Sequence, residues 1–280
     1  MMFPIFGTIG EGLGAAARFV RAKPGMTFGV LGGYTIAAAI GSVGIIRLPL
    51  PFWLAGMLLT WTIALLLMLG LAPIWTALYR FAVLGDVSRR YWQIDVRTRR
   101  VALMLAVLAF ISLLGALPFA LALDVIPRVG LRRFAVLGAV GFAALVKAGS
   151  FWLLGRLAIS GAMAATGSKP QAMDTSFAYT QGAAIPVLTT MLLVYLPSIL
   201  LSGGFIATIR MAELRPGSGA SMVLDLVSTS MSTLASAMTD FVWVAVSAKL
   251  ALRLVKAQRV RAAEEAKRAR EQRDKGGDED

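Results

Sequence analysis

Apolar positions come in long uninterrupted runs. Residues 27–46, 52–71, 101–123, 134–154, 183–209 and 221–252 form six such stretches, each near or above the roughly 20 residues needed to cross about 30 Å of hydrocarbon. The pattern predicts an all-α polytopic membrane bundle of six transmembrane helices. Ahead of it, Ile5, Phe6, Ile9, Leu13, Ala16 and Val20 recur at three- and four-residue steps, the pattern of an amphipathic helix lying in the membrane interface. Arg18, Arg21 and Lys23 lie at or beyond the end of this apolar set, whereas a secretory signal has its basic residues first. Three regions result: an interfacial helix over 1–24, a transmembrane domain over 25–255 and a basic helical extension over 256–280 with a disordered acidic end. The extension lies past the last apolar run, so residues after about Lys256 are not needed for insertion or folding.

The breaks between runs fall at prolines and glycines. Arg47 and Leu48-Pro49-Leu50-Pro51 make a turn, and Pro73 kinks the extension of the second span. Gly115 and Pro118 mark a kink in the third span, which ends in a turn over 124–128. Gly167, Ser168, Lys169 and Pro170 interrupt the chain most clearly. Residues 171–181 then form a short helix closed by Gly182. The fifth span carries Pro186, Pro197 and the Gly203-Gly204 pair, and 210–219 is an exposed turn. The hexapeptide Arg80–Gly85 recurs at Arg133–Gly138 with unmatched flanks, an echo expected by chance in a chain rich in Ala, Val and Leu.

Two spans carry a further pattern. In the first, Gly25, Gly29, Gly33, Ala37 and Gly41 fall at four-residue intervals, a nearly bare stripe that lets another helix of the chain approach closely. In the sixth, Ser228, Ser232, Ser236 and Asp240 share a stripe, with Thr239 beside them. A carboxylate inside a span is costly and must face protein or water. The fourth span contains the other intramembrane charge, Lys147. It lies nine residues before Arg156, and Asp240 lies nine before Lys249, so the two sit at equal depth, about 13 Å from the boundary at 1.5 Å per residue. A Lys147–Asp240 pair completed by Ser236 and Thr239 is one reading. The other has Lys147 snorkelling to the headgroups.

Composition sharpens the picture. Of 280 residues, 58% are hydrophobic and 15% charged, and the formal net charge is +13. Assigned to the loops of a six-span chain, 21 of the 28 Lys and Arg fall on one side and 6 on the other, with Lys147 within a span. By the positive-inside rule both termini are cytoplasmic, in a bacterial inner membrane. Topology thus accounts for the charge without nucleic acid, and the basic C-terminal region is suited to anionic lipid headgroups. The absence of Cys and His removes thiolate nucleophiles, imidazole bases and the common zinc ligands, and no cofactor motif is present. Three classes remain, in this order: a non-enzymatic scaffold or accessory envelope protein, a carrier for a small solute or lipid using a site at Lys147 and Asp240, and an intramembrane enzyme. Catalysis needs a convergent constellation and the sequence offers none, so no enzymatic activity is expected. No protein partner is named by the sequence.

Four segments carry a resemblance: Gly7-Thr-Ile-Gly-Glu11; Tyr79-Arg80-Phe81 with Leu84-Gly85-Asp86; Arg156-Leu-Ala-Ile-Ser160; and Ser176-Phe177-Ala-Tyr179-Thr180-Gln-Gly182. In these the chain resembles a group of six-span bacterial inner-membrane proteins, and the membrane portion fused to some glycerophosphodiester phosphodiesterases. The resemblance implies the six-span architecture. The phosphodiester activity belongs to a soluble domain for which 280 residues leave no room.

Overall fold

The computed structural model describes residues 4–45, 69–87, 93–120, 133–167, 172–211 and 219–276, with a few positions between 59 and 66. All regular structure in them is helical: α1 Ile5–Ala22, α2 Pro24–Ile45, α3 Ala72–Leu84, α4 Val96–Ala120, α5 Arg133–Arg156, α6 Ser160–Thr166, α7 Ala172–Thr180, α8 Ala184–Met211 and α9 Gly219–Gly276. The turns expected at 47–51 and 124–128, most of the second predicted span and the acidic end lie outside the described residues. Among the described residues three stretches, Val96–Gly115, Leu137–Thr166 and Ala184–Leu201, are long and apolar enough to cross a membrane.

Local chemistry sets the boundaries. Pro73 lies in the first turn of α3, where its missing N–H costs nothing. It therefore starts a separate helix instead of kinking a longer one. Gly85 closes that helix with φ 70°, its N–H donating to the Phe81 carbonyl at 2.9 Å. Such left-handed closure suits a residue without Cβ. α4 begins where the Asp95 carboxylate accepts from the Thr98 N–H at 2.8 Å, a side-chain N-cap. Pro118 lies within α4 and Pro197 within α8. The short helix expected over 171–181 is α7, and the turn after it contains Gly182 at φ 76°. The polar last span and the basic extension form one helix of 58 residues, α9.

α9 is the axis of the bundle, packing on α1, α2, α3 and α8 and more lightly on α6 and α7. Around its residues 241–254 lies a dense core that includes Phe19, Trp75, Leu78, Val101, Ile159 and Leu250. Phe19 meets Phe81 edge-on at 5.4 Å and Phe241 at 5.8 Å, and Trp75 lies 6.2 Å from Phe241. α1 touches this core through Thr8, Gly12, Ala15, Ala16 and Phe19, while Phe6, Leu13 and Val20 of its expected apolar stripe point outward. At Gly12 the helices cross backbone to backbone: a Cβ there would lie 2.7 Å from the Val246 Cα. A comparable approach joins α4 to α5, where a Cβ at Gly115 would lie 2.7 Å from that of Ser150.

On α2, Met26 and Val30 are buried and Tyr34 follows them at the same spacing. The glycine stripe lies to one side of this row. A Cβ at Gly29 would be 3.5 Å from Ile74, and one at Gly33 would be 3.5 Å from Leu71, so both touch the α3 region at ordinary packing distance. Gly25 is exposed, and the side-chain surroundings of Ala37 and Gly41 lie outside the description.

Candidate functional site

Asp240, part-buried on α9, is the polar centre of the bundle. Tyr34 of α2 donates its phenolic O–H to Asp240 Oδ2 at 2.8 Å. Tyr195 of α8 donates to Oδ1 at 2.7 Å. Both carboxylate oxygens are therefore held, by residues 206 and 45 positions away in sequence. The Tyr195 ring packs 6.1 Å from Trp243, one turn along α9. Thr239 is buried beside the carboxylate, and Ser232 and Ser236 on the same helix are half-buried. The Ser236 Oγ faces Ser198 of α8 at 3.5 Å, longer than a firm O–H···O bond. The site can hold a carboxylate at the junction of three helices with phenolic donors as its ligands.

Lys147 is not part of it. It is exposed on α5, a helix that packs chiefly on α4 and has only minor contacts with α8 and α7. Its aliphatic stem lies near Gly115, whose Cβ would be 3.5 Å from Lys147 Cδ. Of the two readings for Lys147, the pair with Asp240 is the one the structure does not bear out: Asp240 is held by Tyr34 and Tyr195. The physical reason is lateral: equal depth is necessary for a pair, but the two helices are not main packing partners. The tyrosines carried a signal of their own. Tyr34 lies 11 residues past Lys23 and Tyr195 lies 12 past Ala183, each therefore well inside its span, and each is the sole tyrosine there.

Around the dense core lies a second polar layer. The Arg156 guanidinium, at the end of α5, donates to the carbonyls of Phe177 at 2.9 Å and Thr180 at 3.1 Å, capping α7. It stacks over the rings of Trp152 and Phe177 at 5.7 and 5.2 Å. In return the Ser176 hydroxyl donates to the Arg156 carbonyl at 2.8 Å. Lys249 Nζ donates to the Ala82 carbonyl at 2.6 Å, a cation at a helix C-terminus. Arg80 pairs with Asp86 at 2.6 Å, and Arg253 with Glu11 at 2.7 Å. The segments singled out around residues 7–11, 79–86, 156–160 and 176–182 all contribute to this layer.

No known protein family matches the chain, and neither a curated protein nor a solved structure shows significant similarity to it.

Proposed function

We propose that the chain is a six-span protein of the bacterial inner membrane with both termini in the cytoplasm, and that it works as a non-enzymatic scaffold or accessory component of the envelope. The observation that carries the reading is the Tyr34–Asp240–Tyr195 junction. The most costly intramembrane group is spent on tying three helices together. Both oxygens of that group already accept hydrogen bonds from the chain itself. Supporting the membrane placement are the three long apolar helices and large apolar side chains exposed along them, among them Leu103, Phe110, Leu145 and Trp152.

One observation favours the second reading, a carrier for a small solute or lipid: among the described residues no cation is bonded to Asp240. Its site would then be Asp240 with Tyr34 and Tyr195, without Lys147. Reconstitution separates the two. Wild-type and Asp240→Asn protein are placed in vesicles and assayed for proton or solute flux, with thermal stability measured in parallel. The scaffold reading expects no flux from either, and lower stability for Asp240→Asn. Flux in the wild type that Asp240→Asn abolishes without unfolding would establish the carrier instead. A reporter fused after Lys275 and active only in the periplasm would overturn the topology.

A further inference from the structure

A cavity of about 440 Å³ opens between the turn joining α7 to α8 and the stretch of α9 beyond the core. Its apolar wall includes Pro4, Ala183, Pro186, Leu254 and Val260. Arg253, Lys256 and Arg261 line the same cavity. Arg253 is already committed to Glu11 and to the Pro4 carbonyl at 3.2 Å, while Lys256 and Arg261 make no ion pair among the described residues. Gln258 donates to the Ala178 carbonyl at 3.2 Å, holding α9 against α7 at the cavity floor. The size falls in the roughly 300–1,000 Å³ range of small-molecule sites.

We infer that this cavity binds one anionic phospholipid, its phosphate on Lys256 and Arg261 and the start of its acyl chains against Pro186 and Leu254. Three observations converge on that occupant. The lining divides into a cationic and an apolar part, which is the division of the lipid itself. The apolar part is continuous with Ala184–Leu201, one of the membrane-crossing stretches. Next to Pro186 in sequence, Ile185 is 78% exposed, an apolar side chain on the surface of the same helix. The site is more defined than general attraction of a basic tail to a charged surface, because only some of the basic residues of α9 line the cavity. It rests on the reading of α8 as membrane-inserted and is independent of the scaffold role.

The test uses the purified full chain in a non-ionic detergent. Phosphatidylglycerol, phosphatidylcholine with the same acyl chains, and inorganic phosphate are titrated separately and followed by native mass spectrometry. One phosphatidylglycerol per chain is expected, bound at least tenfold tighter than phosphatidylcholine. Lys256→Gln and Arg261→Gln should each weaken it about fivefold, the equivalent of about 1 kcal/mol per basic residue near a lipid surface. Ala257→Trp, which fills the cavity without changing charge, should weaken it as well, whereas Arg268→Gln/Arg270→Gln further along α9 should change it less than twofold. Melting of each lipid-free variant reports folding, and resistance to alkaline extraction from membranes reports insertion, so a failed membrane reading is told apart from a failed site. Equal loss in the Arg268/Arg270 variant would reduce the effect to diffuse charge. Equal binding of phosphatidylcholine would leave an apolar slot without headgroup selection, and displacement by inorganic phosphate would make it a soluble-anion site. Each of these overturns the inference.

Discussion

α4 and α5 on one side, and the layer built by α1, α3, α6, α7 and the middle of α9 on the other, are made from the same kinds of residue and treat them differently. In the layer, Leu78 and Leu250 are fully buried and Trp75 and Phe19 nearly so. On α4 and α5, Leu103, Phe110, Leu137 and Leu145 turn outward, Leu145 with 73% of its surface exposed. α4 and α5 nevertheless pack closely on each other, at Gly115 and Ser150. Their outward leucines are thus a surface belonging to two well-packed helices, and the solvent suited to it is lipid. On the membrane reading proposed above, helices that face lipid hold together through close packing and polar contacts, since lipid tails are as apolar as leucine.

Truncation sharpens that contrast most. Leu78→Ala should destabilise by about 2–5 kcal/mol, the usual range for a buried leucine, whereas Leu145→Ala should cost under about 0.5 kcal/mol. Thermal or denaturant unfolding in one detergent compares them, and equal losses would break the distinction. Gly12→Ala comes next. Its Cβ meets the Val246 backbone, so the α1–α9 crossing must open, at about 1–3 kcal/mol or more. Gly10→Ala has nothing within 4 Å and is the matched control, expected to melt with the wild type.

The third comparison concerns the polar tie that joins α2 and α8 to α9. Tyr34→Phe and Tyr195→Phe each remove one donor from the Asp240 carboxylate, a loss of about 1.5–3 kcal/mol for a bond to a charged group. Their double-mutant cycle should be non-additive because they bond the two oxygens of one carboxyl group. Lys147→Met should change stability by less than about 0.5 kcal/mol. A loss on Lys147→Met matching the tyrosine variants would restore the abandoned pair. The smallest effect is expected from ending the chain after Arg261. α9 beyond that point is exposed along its described length, so the melting temperature should move by no more than a degree or two.

Positions along the chain were easier to read than positions around it. Length and apolarity placed α4, α5 and α8 within a few residues, because those quantities are one-dimensional. Gly182 and the short helix before it were legible for the same reason. α6 was not foreseen as an element of its own: Ser160, Gly161, Ala162, Ala164 and Ala165 are too small to form an apolar stripe, and they are buried by close approach of neighbours. The sequence reads α3 as a continuation of the preceding span because Pro73 can end one helix or begin the next. Asp240 stood out as a charge in an apolar helix, but its partners are fixed by which helices touch. Counting depth selected Lys147, and the same count applied to Tyr34 and Tyr195 places them well inside their spans too. Side-chain chemistry would not have chosen between them; helix adjacency does.

The length of α9 carries a consequence for how this gene can change. At 1.5 Å per residue its 58 residues run about 87 Å without interruption. Ser236, Asp240, Val246, Lys249 and Arg253 all meet different neighbours from that one rod. Deleting a single codon between 236 and 249 would turn everything beyond it by about 100° and draw it in by about 1.5 Å. Lys249 would leave the Ala82 carbonyl and Arg253 would leave Glu11, while Asp240 kept its tyrosines or lost them according to where the cut fell. Substitutions there are local in effect; insertions and deletions act on every contact downstream. From residue 262 to 270 the side chains are exposed, so the same edit there disturbs no packed contact and variation in length is tolerated in that part of the helix.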